Sequence, residues 1–216
     1  MLENQPIDAQ IIQITILAIV FVIAIWFHEY AHAYVSSIFW DPTPKLQWRL
    51  TPNPIKHIDP IWFLMIFLIN FGWWKPVQVN PSYYKNPLRD ELLVSLAWPF
   101  SNFLMAFIWS FLFVLAEKFG QANFLIETFF QFFIVINIAL WIFNLIPIYP
   151  LDGYRIIKFL KPSWAFFMEK HSMIFMIILL CLVFIPWNII WGIILSIVNP
   201  IYNALIFIAG SILWFK

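Results

Sequence analysis

Residues 92–116 contain no charged side chain, and neither do residues 11–27. Runs of this kind approach or exceed the roughly 20 apolar residues that a helix needs to cross the hydrocarbon of a bilayer. They restrict the fold severely, because lipid offers no water to bond exposed peptide groups and leaves only helices or a closed barrel. Barrel strands alternate apolar and polar residues, and these runs do not. The reading is therefore all-α: a polytopic membrane helical bundle set in the lipid bilayer, forming a single domain over residues 1–216. A chain that is 63% hydrophobic and 11% charged is not an ordinary soluble domain. Its net charge of +1 leaves no electrostatic footprint for nucleic acid, so none is expected as a partner.

Along the chain, the first apolar run starts near Ile11 and continues beyond His32. No Lys or Arg precedes it, unlike the start of a signal peptide, so it reads as a retained span. Residues 41–60 carry five prolines, which exclude a continuous helix. Alternation over residues 45–51 permits a short strand. Residues 61–74 are apolar but short, fitting a short span or a re-entrant segment. Clear spans follow at residues 92–116 and 124–148, and two further apolar runs lie at about 173–186 and 189–215. The expectation is five to six hydrophobic segments, with a re-entrant or strand-like stretch after the first helix. The single cysteine, Cys181, lies in an apolar run and reads as a small hydrophobe.

Chemistry enters at Ala24-Ile-Trp-Phe-His28-Glu29-Tyr-Ala-His32. Histidines four apart on a helix lie one above the other on one face, where both imidazoles reach a single metal ion. In His-Glu-x-x-His sites the histidines bind zinc and the glutamate serves as general base on water. The five-residue pattern also arises by chance in soluble proteins. Inside a bilayer a charged residue costs roughly 2.5–3.5 kcal/mol at the helix centre, which weights the functional reading. A catalytic zinc commonly takes three protein ligands. His57 and His171 are candidates for the third, but each sits in a polar or charged stretch. Asp152 is a stronger one, following a span at the Pro-rich break Pro147-Ile-Tyr-Pro150-Leu-Asp-Gly153. A downstream glutamate, as in other membrane zincins, would be Glu91, Glu117, Glu127 or Glu169. Four histidines are too few for a histidine-rich di-iron oxidase.

Topology supplies a separate check. If Asp152 joins His28 and His32, the helices preceding them end on one side of the membrane and run parallel. Residues 92–116 pair antiparallel with 124–148, so residues 61–74 dip in and return, or lie along the surface. Positive residues favour cytoplasmic loops. Lys45, Arg49, Lys56, Lys75, Lys85 and Arg89 precede the 92–116 span, and Arg155, Lys158, Lys161 and Lys170 follow residue 148. Only Lys118 falls on the other side. The N-terminus is then outside and the site faces the cytoplasm. The chain ends inside if the last two runs each cross.

Taken together, His28-Glu29-Tyr-Ala-His32 and Asn144-Leu-Ile-Pro147-Ile-Tyr-Pro-Leu-Asp152-Gly153 resemble the His-Glu-x-x-His and Asn-x-x-Pro-x-x-x-x-Asp-Gly motifs of the site-2 protease family of intramembrane zinc metalloproteases. Asp41-Pro-Thr-Pro, Asn53-Pro-Ile-Lys-His-Ile-Asp-Pro60 and Gly72-Trp-Trp-Lys-Pro-Val-Gln-Val-Asn-Pro81 are similar to the small bacterial members that lack a PDZ domain. The likeness covers about residues 11–158. It implies that His28, His32 and Asp152 bind one Zn2+ per chain, that Glu29 activates water, and that the substrates are membrane-spanning proteins. A place in the bacterial cell membrane is implied as well. Asn102 and Asn144 are expected to orient substrate backbone. One departure stands out: small members commonly carry Gly-Pro before the middle helix, whereas this chain reads Ala97-Trp98-Pro99-Phe-Ser-Asn102. The rival reading is a catalytically silent zinc-binding membrane scaffold, against which an intact Glu29 counts.

Overall fold

The computed structural model describes residues 6–51, 53–57, 77–183 and 187–214. Residues 61–74, read above as a short span or re-entrant segment, lie outside them. The described residues are helical and contain no strand. The helices are α1 (Ile7–Ile38), α2 (Thr43–Leu46), α3 (Pro87–Lys118), α4 (Phe124–Leu145), α5 (Tyr154–Leu160), α6 (Pro162–Lys170), α7 (Ser172–Val183) and α8 (Trp187–Trp214), with single 3-10 turns at Pro54–His57 and Pro81–Tyr83.

Local chemistry sets several of these limits. Asp8 in the first turn of α1 complements the partial positive charge of the helix start. Pro87 occupies the first turn of α3, where its missing N–H costs no bond. The Asn123 side chain accepts from the Ile126 N–H at 3.1 Å and caps α4.

Among the described residues, four helices are long and apolar enough to cross a membrane: Ile7–Ile38, Pro87–Lys118, Phe124–Leu145 and, within α8, Gly192–Trp214. The five to six segments expected include residues 61–74, which lie outside the described residues. Helix α7 is described up to Val183, and residues 184–186 lie outside the described residues. The expected strand at residues 45–51 is absent. Asp41 Oδ1 accepts from the Thr43 N–H at 2.9 Å and starts the turn of α2 instead, and Trp48, at φ 58°, ends any extended run. No edge exists at these residues for a substrate strand to pair with.

Aromatic contacts give the direction of packing. Phe113 meets Phe130 at 5.6 Å, Trp109 meets Phe133 at 4.3 Å, and Phe103 meets Trp141 at 4.8 Å. As one number falls the other rises, so α3 and α4 are antiparallel. On the other face of α3, His28 bonds Asn102 and His32 bonds Val94, so α1 is antiparallel to α3 as well. Helices α1 and α4 are therefore parallel and end at the same face, as the topology argument requires. Ala24 and Ala106, both fully buried, let the helices approach closely. One core cluster joins Val20 and Ala24 to Phe133 and Ile136, and a second joins Ala106, Phe113, Ile134 and Ile138 to Val198 and Leu205 of α8. Ile11, Ile19, Leu104, Ile108 and Leu112 stay exposed on the outer surface, as lipid-facing residues would. Lys118 Nζ donates to the Leu213 carbonyl at 2.6 Å. Helix α8 thus ends beside the end of α3, at the face away from His32, and not on the site side as two further crossings would require.

Candidate metal centre

His28 and His32 lie one turn apart on the buried face of α1, with ring centroids 5.9 Å apart. Each is held by the nitrogen nearer its backbone. His28 Nδ1 pairs with Asn102 Oδ1 at 2.8 Å, and His32 Nδ1 with the Val94 carbonyl at 3.0 Å. Both Nε2 atoms are left facing inward. Asp152 enters from the segment after α4, its Oδ1 3.4 Å from His32 Nε2. One ligand atom from each of His28, His32 and Asp152 lies within 4.8 Å of the others.

Two of these atoms, His28 Nε2 and Asp152 Oδ2, are buried without any hydrogen-bond partner. A buried imidazole nitrogen and a buried carboxylate oxygen are costly to leave unpaired. A cation between them removes both costs. Two nitrogens and one oxygen with an open fourth direction suit zinc and match the donor set of a catalytic site. The residues therefore fit the metal that the sequence implies.

Close backbone contact brings Asp152 into place. The Gly153 N–H donates to the Asn144 carbonyl at 2.7 Å. A Cβ at Gly153 would be driven into the carbonyl oxygens of Leu145 and Ile146, so the residue after the aspartate must be glycine. Three and six residues on from Asp152, Arg155 and Lys158 grip Glu91 of α3 at 2.8 and 2.9 Å. These pairs dock α5, and with it the Asp152 turn, against the start of α3.

Glu29 is buried beside the histidines, and its Oε2 accepts from the Val77 N–H at 2.7 Å. That amide is placed by a buried cluster around Asp41. Asp41 Oδ2 accepts from Ser36 Oγ at 2.8 Å and from the Asn80 N–H at 2.7 Å, and Ser36 Oγ also bonds the Tyr84 hydroxyl at 2.8 Å. Burial alone would raise the pKa of Asp41, but the bonds from Thr43, Asn80 and Ser36 outweigh it and hold the carboxyl below its ordinary value. Arg49, buried nearby, feels the Glu29 charge, while burial lowers its own pKa.

The rival ligands lie elsewhere. His57 Nε2 points to the Thr51 carbonyl at 3.4 Å, and burial lowers its pKa. His171 Nδ1 bonds the Phe167 carbonyl at 2.9 Å. Glu91 is committed to its two cations, and Glu169 accepts from the Tyr154 hydroxyl at 2.5 Å. Glu117 and Glu127 sit at the end of α3 and the start of α4, at the opposite face. Asn144 turns its Nδ2 to the Leu140 carbonyl at 2.9 Å. Asn102 is engaged at both ends, to His28 and to Asn137 Oδ1, the latter at 2.8 Å. Trp98 packs against His28, and its ring centroid is 4.4 Å from that of His32. Its Nε1 is buried without a partner.

The sequence argument gave no individual role to Asn137, to Asp41 or to the Val77 amide. Asn137 carried a signal, since it is a polar residue in an apolar helix, seven positions before Asn144. The Val77 amide carried none, because a backbone N–H has no residue type.

Comparison with known proteins identifies the family. Residues 116–185 match the family described as Peptidase family M50. The chain is 44% identical over 151 residues to the "Putative zinc metalloprotease YwhC" of Bacillus subtilis (strain 168), covering 68% of this chain and 69% of that protein. It is 25% identical over 146 residues to the "Stage IV sporulation protein FB" of the same organism, of which it spans 40%. No solved structure matches. The chain belongs to peptidase family M50, the site-2 protease family of metalloproteases.

Proposed function

We propose that this protein is an intramembrane zinc metalloendopeptidase that hydrolyses peptide bonds of membrane-spanning proteins. The observation that carries the reading is the convergence of His28, His32 and Asp152, two of their ligand atoms orphaned, beside the buried Glu29. His28 Nε2, His32 Nε2 and Asp152 would hold one zinc per chain. The metal supplies Lewis acidity, lowering the pKa of water and polarising a carbonyl oxygen.

The remaining work falls to the chain. The Val77 N–H fixes Oε2 of Glu29, leaving Oε1 to take a proton from water as its oxygen attacks the scissile carbonyl. The same carboxyl then returns the proton to the departing amine. Water enters from the face of the bundle that bears the site, since hydrocarbon holds none. A substrate helix must unwind locally, because its amides are internally bonded. The basic residues on the site side support a cytoplasmic site and an outside N-terminus, with the bacterial cell membrane as the setting.

Cleavage of a panel of tagged single-span membrane proteins in detergent tests this, with zinc content measured in parallel. Glu29→Gln is expected to keep its zinc and lose cleavage by roughly 10²–10⁴-fold. Full cleavage by Glu29→Gln would refute the assignment. Zinc in both proteins with cleavage in neither would favour the silent scaffold.

A further inference from the structure

Two asparagines lie wholly buried in the middle of the bundle, Asn102 on α3 and Asn137 on α4, each 0% exposed. A buried amide without partners costs about 1–3 kcal/mol, so their bonds carry information. They form one chain. His28 Nδ1 meets Asn102 Oδ1, Asn102 Nδ2 donates to Asn137 Oδ1, and Asn137 Nδ2 donates to the Phe133 carbonyl, each at 2.8 Å.

The direction of this chain is dictated at its far end. A backbone carbonyl only accepts, so Asn137 must turn its NH2 to Phe133 and its oxygen to Asn102. Asn102 then donates through Nδ2 and presents its own oxygen to His28. An amide oxygen cannot donate, so His28 Nδ1 carries the hydrogen and Nε2 keeps its lone pair. His32 reaches the same state in one step, because the Val94 carbonyl facing its Nδ1 only accepts.

We propose that Asn102 and Asn137 are positioning residues that lock His28 in the Nδ1–H tautomer and aim its Nε2 at the metal. This rests on the metal reading above. It ties a ligand on α1 to the Phe133 carbonyl on α4 through two side chains from two helices, whereas His32 depends on backbone that no substitution removes. With both ends of its amide engaged inside the bundle, Asn102 acts on His28 and not on substrate. Groups that orient metal-bound histidines typically change metal affinity 10–100-fold when removed.

The test uses the full-length protein in detergent, metal-free, with 15N-labelled histidine and the His28 signals assigned through His28→Ala. Wild-type His28 is expected in the Nδ1–H form. Asn137→Leu, close in size and apolar, is expected to release the Nε2–H form that free imidazole favours in water, and to raise the zinc dissociation constant tenfold or more. A packing role alone would leave both readings unmoved. Asn102→Asp, which keeps an acceptor for His28, is expected to hold zinc far better than Asn102→Leu. Wild-type His28 in the Nε2–H form overturns the proposal, and so does Asn137→Leu with unaltered tautomer and zinc affinity. Should Asn137→Leu fail to fold, the wild-type tautomer and the Asn102 pair still decide. Wild type without zinc would defeat the metal reading, whereas the tautomer is read in metal-free protein and answers separately.

Discussion

Single residues set the site through contacts that admit little substitution. Gly153 is the sharpest case, since any Cβ meets the carbonyls of Leu145 and Ile146. Gly153→Ala is expected to destabilise the protein by roughly 1–3 kcal/mol and to displace Asp152, lowering zinc occupancy at limiting metal. Thermal unfolding and metal analysis of the purified variant check both effects. The four residues of the two motifs were legible because their types announce chemistry: two imidazoles and a carboxylate in hydrocarbon, and a carboxylate followed by glycine at a helix end. Trp98 was legible only as a departure, and its contact with both imidazoles required coordinates. Asn102 was legible as a polar residue in an apolar run, expected to orient substrate backbone, but its bonding partners were not. Its neighbours on α1 and α4 are 74 and 35 residues away in sequence, and no local pattern encodes that pairing.

Among the elements, short segments decide where the long helices' side chains point. The turn from Ser36 to Thr43 folds back on residues 77–84 through Asp41, which accepts from Ser36, Thr43 and Asn80, and through Ser36, which also bonds Tyr84; these contacts replace the strand that alternation permitted. Proline and a capping carboxylate outweighed a period-2 pattern only a few residues long. Asp41→Asn turns an NH2 toward donors that need an acceptor, which is expected to cost about 1–3 kcal/mol. Because the folded-state pKa of Asp41 lies below its unfolded value, its contribution is complete above the ordinary carboxylate range and vanishes as pH falls through the folded value. Wild type should therefore lose stability on acidification more steeply than Asp41→Asn. Melting temperatures across the acid range in detergent provide the comparison, and parallel curves would exclude Asp41 as the titrating group. Glu91 shows the converse limit of sequence reading: a carboxylate considered as a rival ligand instead clamps α5 through Arg155 and Lys158.

The whole molecule works because α1 and α4 run parallel, a fact inferred from the spacing of motifs and charges before any contact was known. Charge counting left the end of the chain conditional, and the end of α8 lies beside the end of α3, at the face away from the site. Single cysteines in a Cys181→Ala background make the arrangement testable with a membrane-impermeant maleimide. Gln121→Cys should label from outside intact cells and Ser163→Cys only in inverted vesicles. Labelling of both from the same side would break the bundle topology. The parallel pair also carries the central claim, since only that arrangement lets one ion reach donors on α1 and beyond α4. Zinc analysis of purified wild type beside Asp152→Ala tests it most directly. The expected result is about one zinc per wild-type chain and strongly reduced zinc in Asp152→Ala, whereas full zinc in Asp152→Ala would show that the third ligand lies elsewhere.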